Sequence, residues 1–309
     1  MRLRGRGGPR RDRGGRRAWL AGAILLAGIA GGGVTAGADP GSGPGAGCPA
    51  STFPPSAGGA PIVLAASSLR DLLPALMGGW AEAAGRPIPE SSLDSSGAHR
   101  ARIEAGAPAD LLIAADGVDL ASLAAACLLR GTPVPVAESD LAIVVAAGNP
   151  EAIRSVADLA RPGLRIVATL PGVPLGRYAE IVLAHAADQQ ADPMAWRSAV
   201  EANVISREES AATVRARVVL GEADAALLYR TDALGDPALE GIAIPADANV
   251  RVVYLAAVPA TGGEPALGGE LLAFLAAPEA RTILAAAGFL PPPGTAASPE
   301  PDLSPGATP

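Results

Sequence analysis

The segment Pro61-Ile-Val-Leu-Ala-Ala-Ser-Ser-Leu69 runs from apolar residues directly into a pair of serines. Its first six residues are typical of a buried strand, and the spacing of the apolar residues that follow predicts a helix from Leu69 to Ala84. Ser68 stands immediately before that helix, where a serine side chain commonly caps free backbone N–H groups. We therefore expect a strand that ends at a helix N-terminus, with Ser68 as the N-cap.

A second unit of the same kind follows the first. The run from Ile88 to Leu93 favours a strand, and Ser95-Ser96-Gly97 has the residues of a helix start. That helix is expected to end at Gly106, since glycine commonly terminates helices. Helix N-termini offer backbone N–H donors and a positive partial charge, so two of them beside free hydroxyls favour an anion. The pattern indicates an anion receptor and not an enzyme.

Strands and helices continue to alternate through residues 61–290, the predicted folded body. The further predicted strands are Asp110–Ala114, Asp140–Ala147, Leu164–Thr169, Asp224–Tyr229 and Asn249–Val258. The further predicted helices are Val118–Leu129, Pro174–Ala187, Ser210–Gly221, Leu267–Ala276 and Glu279–Ala287. Such alternation is typical of an α/β fold with mostly parallel sheets.

Two apolar runs, Asp140–Ala147 and Arg251–Val258, join blocks that are compact on their own. We therefore expect two lobes, one of residues 61–139 plus 252–290 and the other of residues 140–251. The two runs would be crossover strands that form a hinge. A ligand would then lie in the crevice at the carboxyl ends of the strands, where helix N-termini point.

The N-terminal residues 1–38 have the organisation of an export signal. Eight arginines precede the apolar run Ala18–Ala30, and the small residues Ala36-Gly-Ala38 follow it, so cleavage after Ala38 is expected. About thirteen apolar residues are too few for a membrane-spanning helix, which needs roughly twenty. The pair Arg16-Arg17 leaves the Sec and twin-arginine export routes both open.

Residues 39–60 are rich in Gly, Pro and Ser and predict a flexible leader, while the Pro-rich residues 291–309 predict a disordered tail. The leader contains Cys48, and the body contains the other cysteine, Cys127. In an oxidising compartment these two can form a disulfide. The alternative is a lipidated Cys48 that associates with the membrane. Their separation does not fit a metal site.

Without the export signal the chain is strongly acidic. The signal carries eight of the 24 basic residues and one of the 31 acidic residues, so the remainder has a net charge of −14. Such a charge disfavours the binding of nucleic acid or of an anionic membrane surface. A small anion is still a suitable ligand, because backbone N–H groups and hydroxyls can hold it without side-chain cations.

The body carries six motifs that together narrow the protein class. They are Ala65-Ala-Ser-Ser-Leu69, Ser95-Ser96, Ile103-Glu-Ala-Gly-Ala-Pro-Ala-Asp-Leu111, Gly172-Val-Pro-Leu-Gly-Arg-Tyr178, Leu220-Gly-Glu-Ala-Asp-Ala-Ala-Leu-Leu-Tyr-Arg-Thr-Asp232 and Ala277-Pro-Glu-Ala280. In these motifs the chain resembles the periplasmic molybdate-binding proteins of ABC transporters, over most of residues 61–290. The resemblance implies the two-lobe α/β fold of type II periplasmic binding proteins, with mostly parallel sheets and two crossover strands at the hinge.

The resemblance also implies which residues hold the ligand. In this family two serines, backbone N–H groups at helix starts and one tyrosine hydroxyl bind an oxyanion. The matching positions are Ser68 and Ser96, each with hydroxyl and N–H, Leu175 and Ala211, each with its backbone N–H, and Tyr229 with its phenol. We expect these five residues to form one site that contains hydrogen-bond donors alone.

Asp94 bears on the choice of ligand because it directly precedes Ser95-Ser96. A carboxylate that faced the cleft would repel a dianion, whereas alternation along a strand can point it away. Molybdate, tungstate and sulfate are fully deprotonated at neutral pH, but phosphate carries a proton that needs an acceptor. Asp94 is the one candidate for that acceptor.

The function that the resemblance implies is that of a periplasmic solute-binding protein, which binds molybdate or tungstate between its lobes and delivers it to an ABC permease. It implies a monomer without a cofactor and without catalytic residues. Binding of sulfate or phosphate is the first alternative. A minor alternative is an exported serine hydrolase, although the chain lacks a Gly-x-Ser-x-Gly turn.

Tyrosines and histidines do not indicate a metal site. A ferric-ion module is disfavoured because Tyr178, Tyr229 and Tyr254 are not adjacent in the sequence. His99 and His185 are predicted at solvated helix positions, and neither has a second ligand at metal-binding spacing.

Overall fold

The structure is a computed structural model that describes residues 60–294. Within them the strands are β1 Ile62–Ala66, β2 Glu90–Asp94, β3 Leu111–Ala114, β4 Leu129–Ala146, β5 Ile166–Thr169, β6 Val204–Glu208, β7 Ala225–Tyr229, β8 Leu239–Ala243 and β9 Arg251–Pro259. The α-helices are α1 Leu73–Ala84, α2 Ser96–Glu104, α3 Val118–Ala125, α4 Pro174–Asp188, α5 Pro193–Asn203, α6 Ala211–Val219, α7 Arg230–Ala233, α8 Pro265–Leu275 and α9 Pro278–Ala286. The predicted export signal, the leader with Cys48 up to residue 59, and the tail from residue 295 lie outside the described residues.

The strands form one mixed sheet in the order β2-β1-β3-β9-β4-β7-β5-β6, and β8 pairs with β4. Pairing is parallel from β1 to β2 and β3, and again from β5 to β6 and β7. β9 pairs antiparallel with β3 and β4, and β4 pairs antiparallel with β7 and β8. The two predicted crossover strands therefore lie side by side between two blocks of parallel strands.

The strand β4 is much longer than the predicted strand Asp140–Ala147, because it already begins at Leu129. Its first part pairs with β9, and its second part pairs with β7 and β8. The part of β4 before Asp140 could not be predicted from the sequence, because it contains Pro133 and Pro135. Proline has no N–H to donate to a neighbouring strand and is uncommon within sheets. Register shifts in this part of the β4–β9 pairing accommodate the two prolines.

The predicted helix Val118–Leu129 is wrong at its C-terminal end. Helix α3 stops at Ala125, and Cys127 has a positive φ of 57°, which a continuing helix does not allow. The chain then enters β4 directly. Cys127 is disulfide-bonded, and the partner that the sequence offers, Cys48, lies outside the described residues.

The predicted helix Leu69–Ala84 is also shorter than expected. A 3-10 helix covers Ser67–Leu69, and α1 begins only at Leu73. Pro74 lies in the first turn of α1, where proline is well tolerated because its missing N–H would have no acceptor within the helix. Ser68 is therefore not the N-cap of α1, and its hydroxyl is left for other partners.

The buried core is mainly aliphatic, and its larger cluster extends through both blocks of the sheet. It includes Val63 of β1, Ile143 of β4 and Leu228 of β7, each inaccessible to solvent. A smaller cluster packs α2 and α3 against β3. No helix in residues 60–294 combines the length and the apolar character that are needed to cross a membrane.

Candidate functional site

A small cavity lies where the carboxyl ends of β1 and β2 meet the N-terminal ends of α4 and α6. Its volume is about 20 Å³, which is space for one or two waters, since a single water needs roughly 10–15 Å³. The wall consists of Ala66, Ser67, Ser68, Ser95, Ser96, Ala115, Val173, Pro174, Leu175, Ser210, Ala211 and Tyr229. The structure thus brings all five sequence-predicted site residues together around one space.

One side of this cavity, the first wall, is built from the ends of β1 and β2. The parallel register pairs Ala66 with Asp94, so the 3-10 helix that holds Ser68 and the helix α2 begin side by side. Both starts therefore direct backbone N–H groups toward the same place, since the first turn of a helix has no internal acceptors for them.

Ser95 and Ser96 make different hydrogen bonds within the first wall. Ser95 is the N-cap of α2, and its Oγ accepts from the backbone N–H of Ala98 at 3.3 Å. The buried Ser96 Oγ accepts from the backbone N–H of Ala115 at 3.2 Å. Because the Ser96 oxygen is an acceptor in that bond, its own hydrogen remains available for a ligand.

The hydroxyl of Ser68 lies 3.0 Å from the hydroxyl of Tyr254, and either oxygen can be the donor. Ser68 is half-buried at the cavity, whereas Tyr254 is fully buried on β9. Burial raises the pKa of Tyr254 well above its ordinary value. The phenol of Tyr254 therefore keeps its proton at neutral pH.

The opposite side, the second wall, begins with α4. Pro174 occupies the first turn of this helix, and Leu175 follows it. Leu175 is 2% exposed and belongs to the buried core, and it also lines the cavity. Gly176 is required here, since an added Cβ would lie 2.2 Å from the carbonyl oxygen of Leu170.

Helix α6 provides the second helix start of this wall. Ser210 is its N-cap, and the Ser210 Oγ accepts from the backbone N–H of Thr213 at 3.2 Å. Ala211 is the first residue of the helix and is buried at the cavity. The backbone N–H of Ala211 therefore belongs to a first turn, where no intrahelical acceptor is available.

Tyr229 completes the second wall at the end of β7. Its side chain is buried, and burial raises the pKa of its hydroxyl well above the ordinary value. Its ring centroid lies 5.8 Å from that of Tyr254, while its backbone N–H donates to Asp232 Oδ2 at 3.2 Å. Tyr229 thus lines the cavity with a hydroxyl that stays protonated at neutral pH.

Within residues 60–294, no charged side chain contributes to the cavity wall. Asp94 is directed away: it accepts from the backbone N–H of Ser95 at 2.8 Å and pairs with Arg102 at 2.7 Å. Next to the wall residue Ala115, Asp116 accepts from Arg177 Nε of α4 at 2.8 Å. This ion pair joins the first and second walls outside the cavity.

His99 corrects one sequence prediction. It is fully buried instead of solvated, and its Nε2 lies 3.0 Å from the carbonyl oxygen of Ala65, behind the first wall. Burial lowers the pKa of the imidazole. The spacing Ser96, His99, Ile103 on one buried face of α2 was the signal in the sequence that would have placed it inside. His185 is exposed, as predicted.

Two features near the site were not predicted from the sequence. The hydroxyl of Tyr254 reaches Ser68 across a separation of 186 residues, and Arg177 reaches Asp116 between the walls. Within residues 60–294 no group of three or more His, Cys, Asp or Glu residues is placed to hold a metal ion.

A family model described as bacterial extracellular solute-binding protein matches residues 62–290. The chain belongs to this family. Among the curated relatives of this solute-binding protein is the molybdate-binding protein ModA of Mycobacterium tuberculosis, which is 37% identical over 188 residues, or 60% of this chain and 67% of the relative.

Solved structures of similar proteins show the same fold. The periplasmic molybdate-binding protein of Azotobacter vinelandii superposes with a TM-score of 0.64 at 22% identity, over 74% of this chain and 98% of that one. The sulfate-binding protein SubI of M. tuberculosis gives a TM-score of 0.64 at 22% identity, over 76% and 87% of the two chains. The expected type II periplasmic binding-protein fold is confirmed. Membership of the family makes this an exported protein with a binding role in transport.

Proposed function

We propose that this solute-binding protein binds molybdate or tungstate in the cavity between the two walls and delivers it to the permease of a molybdate ABC transporter. The relationship to ModA supports the choice of ligand. The observation that carries the proposal is the cavity itself, which gathers Ser68, Ser96, Leu175, Ala211 and Tyr229 on a wall to which none of the charged side chains in residues 60–294 contributes.

Neutral donors suffice for a dianion when several of them converge. A hydrogen bond to a charged partner contributes about 1.5–3 kcal/mol, and each helix N-terminus adds roughly 0.3–2 kcal/mol. The hydroxyls of Ser68, Ser96 and Tyr229 and the first-turn N–H groups of α2, α4 and α6 can together offset the desolvation of the ligand. No side-chain cation is needed, which fits the acidic chain.

The donors on the wall favour an anion that carries no proton. Phosphate would need an acceptor, and the one candidate, Asp94, is paired with Arg102 outside the cavity. Phosphate is therefore disfavoured. Sulfate remains the alternative ligand because its oxygens also accept hydrogen bonds only, and the similar fold of a sulfate-binding protein does not decide between the two.

Hydrolysis by a serine is disfavoured by the surroundings of the two serines. Ser68 Oγ is bonded to Tyr254 and Ser96 Oγ to Ala115. Within residues 60–294 the hydrogen-bond partners of these two hydroxyls therefore include no histidine, and the imidazole Nε2 of His99 lies against the carbonyl oxygen of Ala65 instead.

We further propose the boundaries of the lobes and the maturation of the chain. The first lobe comprises residues 61–139 plus 252–290, and the second comprises residues 140–251. The mature protein is a monomer released by cleavage near Ala38. Cys48 forms the disulfide with Cys127 and is then unavailable for lipidation. Intact-mass measurement of the secreted protein, with and without reduction, tests both the cleavage and the disulfide.

Calorimetry and thermal unfolding of the ligand-free protein test the ligand. We expect molybdate and tungstate to raise the unfolding temperature and to bind with micromolar or tighter affinity, with sulfate weaker. Phosphate and ferric citrate serve as the contrasting ligands. Stabilisation by phosphate or by iron alone would overturn the proposed function.

A further inference from the structure

Tyr254 lies behind the first wall and is not among the residues that line the cavity. It belongs to β9, one of the two strands that join the blocks of the sheet. Its hydroxyl nevertheless lies 3.0 Å from the Ser68 hydroxyl, which does face the cavity. The orientation of one proposed ligand donor therefore depends on a residue that does not contact the ligand.

A serine hydroxyl has a single hydrogen, so the direction of the Ser68–Tyr254 bond decides what Ser68 can offer. If Ser68 donates to Tyr254, its hydrogen points away from the cavity. If Tyr254 donates, the Ser68 hydrogen is free for a ligand oxygen. The raised pKa of Tyr254 means that its phenol always has a proton to donate at neutral pH.

We propose that Tyr254 is a positioning residue, whose hydroxyl donates to Ser68 Oγ and so directs the Ser68 hydrogen at the bound oxyanion. This inference rests on the proposed function. The Ser96 hydroxyl has the same arrangement that we propose for Ser68, since the Ser96 Oγ accepts from the backbone N–H of Ala115. In both serines the oxygen accepts from the protein and the hydrogen is left for the ligand.

The surroundings of Tyr254 hold its hydroxyl in place. The side chain is fully buried, and its ring contacts those of Tyr229, at a centroid distance of 5.8 Å, and Phe289, at 5.3 Å. Its backbone pairs with Ala137 of β4. A phenylalanine at position 254 would keep these ring contacts and remove only the hydroxyl.

A bound anion strengthens the proposed arrangement. Hydrogen bonds in a chain polarise one another, so donation from Tyr254 makes the Ser68 hydroxyl a better donor to a negative ligand. Without the Tyr254 hydroxyl, Ser68 is free to rotate and loses this polarisation. We expect Tyr254→Phe to raise the dissociation constant for molybdate about tenfold, the scale of one net hydrogen bond.

A double-mutant cycle tests this role, with molybdate titrated calorimetrically into the wild type, Tyr254→Phe, Ser68→Ala and the double variant. We expect Tyr254→Phe to weaken binding in the wild-type background and to have no further effect once Ser68 is alanine. Ser139→Ala is the matched control. It removes a fully buried hydroxyl from the same β4–β9 strand pair, one that donates to the carbonyl oxygen of Asp140, and should leave affinity unchanged.

The outcomes separate the two proposals. If the wild type binds no oxyanion, the proposed function fails and the role of Tyr254 fails with it. If the wild type binds molybdate but Tyr254→Phe binds equally well, only the role of Tyr254 is overturned. The same holds if Tyr254→Phe weakens binding to the same extent in the Ser68→Ala background, because the effect would then not pass through Ser68.

Discussion

The two walls of the cavity supply donors of different kinds. The first wall presents the side-chain hydroxyls of Ser68 and Ser96, whose oxygens already have protein partners. The second wall presents the backbone of Leu175 and Ala211 at two helix starts, and one phenol, Tyr229. Side-chain identity therefore matters at Ser68, Ser96 and Tyr229, whereas the placement of helices matters at Leu175 and Ala211. Substitutions can test this contrast directly.

Removing both hydroxyls of the first wall should have the largest effect. We expect Ser68→Ala combined with Ser96→Ala to weaken molybdate binding by about a hundredfold or more, because each bond to a charged ligand contributes roughly 1.5–3 kcal/mol. Calorimetry measures the affinity, and thermal unfolding should show a folded protein. Ser122→Ala, which removes a hydroxyl that donates to Val118 on α3, is the control. Unchanged affinity in the double variant would show that these serines are not the ligands.

Displacing a helix start should damage the second wall without removing any donor group. In Gly176→Ala the new Cβ would collide with the carbonyl oxygen of Leu170, so the start of α4 and the segment at Leu170 must move apart. We expect a loss of about 1–3 kcal/mol in the free energy of unfolding, as for other overpacked sites, and binding weakened more than about tenfold as the Leu175 N–H shifts. Gly172→Ala is the matched control, since a Cβ there meets no atom within 4 Å. Equal affinities of the two variants would contradict the account.

The Tyr229 hydroxyl in the second wall should contribute about as much to molybdate affinity as one serine hydroxyl in the first wall. We expect Tyr229→Phe to weaken molybdate binding about tenfold while the protein stays folded. Because burial raises the pKa of Tyr229 well above its ordinary value, the phenol stays protonated and its contribution should be constant from about pH 7 to pH 9. Calorimetric titrations with molybdate at several pH values across that range test whether the contribution of the phenol is constant. A loss of wild-type affinity in this range that disappears in Tyr229→Phe would contradict it.

Changing a side chain behind a backbone donor should have the smallest effect. Leu175→Met nearly conserves volume in the core, so we expect binding within about twofold of wild type and a destabilisation below about 1.5 kcal/mol. The dissociation constant and the unfolding temperature together test this. A large loss of affinity with little loss of stability would mean that the Leu175 side chain, and not its N–H, faces the ligand.

The contrast between the walls also explains what the sequence could predict. Ser68 follows the apolar strand β1, and Ser96 follows β2, which is mostly polar and exposed. Leu175 and Ala211 lie at helix starts with their own signals, Pro174 and Ser210. These local signals predict helix starts only, and it was the resemblance to the molybdate-binding proteins that singled out the five positions, Tyr229 among them, as ligand donors.

Contacts between distant parts of the chain could not be predicted in the same way. The bond from Ser68 to Tyr254 spans 186 residues, and the orientation of Asp94 depends on its pairing with Arg102. The first part of β4 was not predicted because it contains two prolines and a glycine, which are typical of loops. The elements α5, α7, β6 and β8 were also missed. β6 and β8 are short strands at which exposed and part-buried residues predominate, and α7 has only four residues.

The central claim is that one oxyanion is bound by both walls at once. Crystals grown with molybdate, measured at the molybdenum absorption edge, locate the metal by its anomalous signal. The account predicts one peak in the cavity, with ligand oxygens within hydrogen-bonding distance of Ser68 Oγ, Ser96 Oγ and the Tyr229 hydroxyl. A peak at another place, or contact with one wall alone in the closed protein, would contradict it.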